Sequence, residues 1–147
     1  MGHLTIDQST WISISQTIAD HVWLIDNNMA DRAIDLFAEG ARLEFAKGAP
    51  VPAVYDGKKS VEGFLKARAA QRDGVSRHIV TNVRMIRQED GSVLATSLVT
   101  LYRGNAGERS TTAAVIADVT ETYVLEPDQV WRIMERVVMP VLLANAT

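Results

Sequence analysis

Between residues 10 and 26 the apolar positions Trp11, Ile14, Ile18, Val22 and Ile25 recur every three or four residues, the period of one helix face. Ser9 or Thr10 is placed to cap the start of this helix, and Asn27 and Asn28 mark its end. Counting back from Asp26 in fours gives Val22, Ile18 and Ile14, so the stripe ends in a carboxylate. A second short helix is predicted over 30–37 with Gly40 as its stop, then a strand over 41–47. Gly and Pro reach loop density over 48–57, and 60–71 returns to helical spacing through Val61, Phe64, Leu65 and Ala69.

After Gly74 the pattern turns extended almost to the end. Four segments, 76–88, 92–104, 113–127 and 129–142, are separated by short turn-rich joints that suit antiparallel hairpins. Three helices followed by such a meander predict an α+β domain with helices packed on one face of a curved sheet. The chain has no evident repeat or low-complexity tract, and residues 1–147 read as a single domain.

Composition narrows the chemistry. A hydrophobic content of 47% in 147 residues is enough for a real core. Fifteen basic residues against eighteen acidic ones leave a net charge of −3, with no electrostatic footprint for nucleic acid or an anionic membrane. The absence of cysteine removes disulfides, thiolate metal sites and cysteine nucleophiles. The opening MGHLTIDQST has neither a basic n-region nor an apolar h-region, and no run is long enough to span a bilayer. A soluble, cytoplasmic protein is expected.

An acid at the end of an apolar stripe either caps the helix or meets solvent, or it sits in a pocket opposite an imidazole or guanidinium. In SRHIVTNVR, strand alternation puts His78, Val80 and Asn82 on one face, which makes His78 the imidazole to consider. His21 lies a helical step from the Asp26 stripe and His3 near the terminus, so both are weaker candidates. Three scattered histidines without cysteine make no metal site. Arg136 is either solvent-facing or a pocket cation. Tyr55, Tyr102 and Tyr123 are candidate hydroxyl donors to a substrate oxygen, with Asn82 as a further contact. Asp118 is either a pocket acid or a convex-face residue at an interface, and Trp11, Trp23 and Trp131 read as core or dimer contacts.

The order of elements, with DRAIDLFAEGARLEF, YDGKKSVEGFL, the strand opening SRHIVTNV and the final VWRI, resembles the SnoaL-like branch of the nuclear transport factor 2-like superfamily over nearly the whole chain. The resemblance implies a cone-shaped barrel: a curved, mostly antiparallel sheet and three helices enclosing a pocket. LIDNNMADRAIDLFAEGARLEF is similar without a gap to the helical region of scytalone dehydratase, whose pocket aspartate falls on Asp26 and whose strand histidine falls on His78. Hexachlorocyclohexane dehydrochlorinase, another relative, implies the same pair as a dyad and a pocket arginine at Arg136. The second pocket histidine of scytalone dehydratase has no counterpart in SVLATSLVTLYRG. Ketosteroid isomerase shares the fold with different pocket acids, so fold alone does not choose the reaction.

The resemblance therefore implies a cofactor-independent lyase or isomerase of the dehydratase, dehydrohalogenase, double-bond isomerase or polyketide cyclase type. In it an Asp26–His78 dyad would remove a proton from a small apolar or aromatic, cyclic molecule while Arg136 stabilises the anion. The alternative is a non-catalytic binding or assembly module such as a ring-hydroxylating dioxygenase small subunit. A homodimer or larger homo-oligomer is expected because an open sheet this small would leave a face carrying Val119, Val99 or Val137 wet.

Overall fold

The computed structural model describes residues 5–108 and 112–144. His3 lies outside them. The order is α1 (Gln8–Asp26), a 3-10 helix (Ala30–Leu36), β1 (Phe37–Phe45), β2 (Ala53–Asp56), α2 (Lys58–Ala70), β3 (Val75–Arg87), β4 (Val93–Gly104), β5 (Val115–Leu125) and β6 (Trp131–Leu143). The six strands form one open sheet in the order β2-β1-β6-β5-β4-β3. Only the β1–β6 pairing is parallel; all others are antiparallel. The result is the expected α+β cone, with a mixed sheet that does not close on itself. No helix among the described residues is long and apolar enough to cross a membrane.

Asp7, rather than Ser9 or Thr10, caps α1. Its carboxylate accepts from the Thr10 backbone N–H at 2.9 Å and from the Ser9 and Thr10 hydroxyls, each at 2.7 Å. The first helical turn thus has a charged acceptor for its free donors. The predicted apolar stripe is recognisable with a shift: Thr10, Ile14, Ile18 and His21 are the buried positions of α1. Ile14 and Ile18 join Ala33, Phe37, Leu65, Val93, Ala95 and Ile133 in the main core, each large aliphatic contributing about 1.5–3 kcal/mol by leaving water. Trp11 and Trp23 are exposed, while Trp131 packs against the core beneath the Arg87 guanidinium, 5.6 Å from the ring centre.

Gly40 does not stop a helix. The chain becomes β1 at Phe37, and Gly40 lies inside that strand where the β1–β6 register shifts between Phe37 and Arg42. A Cβ there would lie 3.5 Å from Met134 Sδ, an ordinary packing distance, so the neighbouring strand does not by itself demand a glycine. The predicted loop also holds a strand, β2, four residues long at the sheet edge. Pro52 immediately precedes it.

Alternation along β5 buries Ala117, Val119, Glu121 and Tyr123 and turns Asp118 to the outside. Asp118 is therefore a convex-face residue. Val99 and Val119 face inward, which leaves Val137 with the outer set. Exposed apolar residues on the outer face of the sheet include Ile79, Met139 and Leu142.

Candidate active site

Helix α1 packs against β3, the free edge of the sheet, and this contact creates the site. An edge strand leaves every second backbone N–H without a strand partner. At His78 that N–H donates to Asp26 Oδ2 at 2.7 Å, while the His78 ring Nδ1 meets Asp26 Oδ1 at 2.6 Å. One carboxylate thus closes the sheet edge and orients the imidazole. Ser76, two residues earlier on the same face, donates its hydroxyl to Asp26 Oδ1 at 2.8 Å and accepts from Arg68 of α2 at 3.2 Å.

The side chains of Asp26 and His78 are 7% and 15% exposed. Burial pulls the Asp26 carboxyl upward, but the ring and backbone hydrogen bonds from His78, the charge of that ring and the Ser76 hydroxyl outweigh it. The group is held below the ordinary aspartate range. An ionised Asp26 accepting from Nδ1–H leaves Nε2 with its lone pair, the arrangement of a general base.

His78 lies in the wall of a cavity of about 460 Å³ and also borders an open groove between α1 and β3. The cavity is lined mainly by apolar side chains, among them Val22, Ile25, Leu43, Val99, Val119 and Val138. Aromatic rings close one end: Phe64 lies 4.7 Å from Tyr55 and 5.3 Å from Phe45, centre to centre. A flat ring compound matches such walls in size and polarity.

The predicted site residues divide by position. Asp26, His78, Tyr55 and Arg136 come together at the cavity, with Asp26 behind His78 and the other three in the lining. Arg136 is not solvent-facing; it is 6% exposed and its guanidinium donates to Glu121 Oε1 at 2.6 Å. Tyr123 is fully buried in the core and donates its hydroxyl to Glu121 Oε2 at 2.5 Å. Burial first and the Glu121 charge second raise its pKa well above the usual phenol value, so it remains a donor. It supports Arg136 through Glu121 instead of meeting a substrate.

Two predicted contacts lie elsewhere. Tyr102 sits between the lining residues Leu101 and Arg103, so strand alternation turns it to the outer face. Asn82 has φ 55° at a bulge, where the β3–β4 register shifts between Thr81 and Arg84, and it is exposed. The bulge breaks the alternation that placed Asn82 with His78, and Val83 takes its place on the inner side.

The structure adds residues that the sequence reading passed over. Glu121, 1% exposed, supplies the counter-charge for Arg136. His21, 3% exposed, lines the cavity beside Arg136 and makes an edge contact with Phe37 at 5.8 Å. Its place was visible as spacing, since Ile18, His21 and Ile25 follow one another at three and four residues. Among the described residues no group of three or more His, Cys, Asp or Glu side chains is arranged to hold a metal ion.

The model of the SnoaL-like domain family matches residues 12–137, and the chain belongs to that family. Solved structures are similar across nearly the whole fold. ActVI-ORFA from Streptomyces coelicolor has 15% identity and a TM-score of 0.78, over 91% of this chain and 98% of that one. A candidate scytalone dehydratase from Novosphingobium aromaticivorans has 16% identity and a TM-score of 0.76, over 95% and 89% of the two chains. The β subunit of a candidate aromatic-ring-hydroxylating dioxygenase from the same organism also has 16% identity and a TM-score of 0.76, over 95% and 94%. At these identities the likeness is one of fold. No curated protein matches the chain.

Proposed function

We propose that this chain, as one domain over residues 1–147, is a cytoplasmic lyase or isomerase that removes a carbon-bound proton from a small, apolar, cyclic substrate without a cofactor. The observation that carries this reading is the 2.6 Å contact between His78 Nδ1 and Asp26 Oδ1 in the wall of an apolar cavity. Nε2 of His78 takes the proton, and the electron pair of the broken C–H bond moves onto a carbonyl oxygen as an enolate. Asp26 stabilises the imidazolium that forms, and Arg136 faces the enolate charge. The enolate then takes back a proton at another carbon, expels a leaving group or attacks a second carbonyl. These routes correspond to isomerisation, elimination and cyclisation.

The test uses 1-tetralone, a bicyclic ketone, in D2O. Exchange at the carbon next to its carbonyl is expected in the presence of the wild-type protein and not of His78→Ala; equal rates with both proteins, or none above buffer, contradict the reading.

We further propose that the convex face is covered by a second copy of the chain, on the ground that Met139 and Leu142 are 51% and 63% exposed there. The likeness to a dioxygenase β subunit supports a second reading, a non-catalytic assembly module whose convex face meets another chain. That reading expects no exchange.

A further inference from the structure

A buried imidazole normally has hydrogen-bond partners, because a buried nitrogen without one loses its hydration and gains nothing in return. His21 departs from this: among the described residues its Nδ1 is fully enclosed without a hydrogen-bond partner. The ring is part of the cavity lining, as is Arg136, whose only hydrogen bond among the described residues goes to Glu121. The cavity walls are otherwise mainly apolar, with Arg68, Gln71, Arg103, Tyr55 and His78 as the further polar lining residues. Burial, then the charge of Arg136 and of His78, hold the His21 pKa well below the usual imidazole value, and the ring is neutral at physiological pH.

We propose that His21 is a substrate contact: with Nδ1 enclosed, its Nε2–H together with Arg136 binds the oxygen of a cyclic ketone or phenol, so the cavity selects an oxygenated ring over a hydrocarbon or halogenated one of the same shape. A neutral imidazole suits an oxygen that gains negative charge, since it donates a hydrogen bond without surrendering a full charge to an apolar wall. Arg136 supplies the charge and Glu121 fixes its direction. This deepens the reading of the cavity as the place of proton abstraction and rests on it.

The experiment compares 1-naphthol, which resembles the enol of 1-tetralone, with naphthalene by equilibrium dialysis. Wild type is expected to bind 1-naphthol about tenfold more tightly, one hydrogen bond's worth, and His21→Phe to bind the two alike. The melting temperature of His21→Phe is expected to hold or rise, because no protein hydrogen bond is lost. An equal preference in both proteins, or none in wild type, overturns the proposal. Ring NMR of the wild-type protein decides the matter even if the variant fails to fold: the His21 nitrogens should shift with 1-naphthol and not with naphthalene, and identical responses to both overturn it. His78→Ala should keep the preference for naphthol while losing tetralone exchange. Exchange retained in that variant refutes the base alone, whereas exchange lost from a protein without the preference refutes the His21 contact alone.

Discussion

Asp26 holds His78 at two points, the backbone N–H through Oδ2 and the ring Nδ1 through Oδ1, although the residues lie 52 positions apart on different elements. The backbone contact fixes the strand against the helix end, and the ring contact then has little freedom left. The imidazole is oriented before a substrate arrives.

Removal of the base should be the most damaging change to turnover. His78→Ala is expected to fold and to lose about 10²–10⁴-fold of the exchange activity, the usual contribution of a positioned base. Asp26→Asn should keep a small remainder, because it leaves the imidazole in place. Its amide nitrogen can only donate, so either the His78 backbone N–H loses its acceptor or the amide donates to Nδ1 and the ring proton moves to Nε2. Exchange rates of the two purified variants check the order.

Acid should weaken the fold through Asp26. Its folded-state pKa is depressed, so its contribution is fully present above the unfolded value of about 3.9 and is lost as pH falls through the folded pKa. Urea denaturation from neutral pH downward should show a shallower acid decline in Asp26→Asn than in wild type. Parallel curves would mean that Asp26 gains nothing from its partners.

The Glu121–Arg136 pair should behave as a unit. Glu121→Leu strands a buried guanidinium and is expected to cost about 3–5 kcal/mol, whereas Glu121→Leu with Arg136→Leu should recover most of that loss. Chemical denaturation of the two variants measures the difference. Activity should not return in the double variant, since the Arg136 guanidinium that faces the anion is gone.

A charge on the convex face should separate subunits. Leu142→Asp is expected to sediment as a monomer at micromolar concentration where wild type sediments as a larger species, with the cavity side unaffected. Wild type already sedimenting as a monomer would remove the case for a homo-oligomer.

How much of this was legible in the sequence varied with the range of the interaction involved. The stripe through Ile14 and Ile18, the four late strands and the Asp26–His78 pair follow from local periodicity and a family resemblance. The parallel pairing of β1 with β6 joins segments about 90 residues apart, and local pattern carries no sign of it. A glycine after a short helical run has the meaning of a helix stop, but Gly40 lies inside β1, where the register against β6 shifts, and that shift depends on the neighbouring strand. Alternation failed at Asn82 because a single bulge inverts the parity of everything beyond it. Tyr123, a candidate donor to a substrate oxygen by residue type, instead donates to Glu121, two residues earlier on the same face. Spacing through Ile18 and Ile25 places His21 on the buried face of α1, but its nearness to Arg136 depends on β6, which the local pattern does not carry.

The most direct test of the central claim is the protonation site of one ring. Nitrogen NMR of His78, at a pH where its imidazole is neutral, should find the proton on Nδ1 in wild type, directed at Asp26, with Nε2 free to act as the base. Loss of this Nδ1 preference in Asp26→Asn would agree with an orienting carboxylate. A wild-type ring protonated on Nε2 would contradict the account, because the nitrogen facing the cavity would then have no lone pair with which to take a proton.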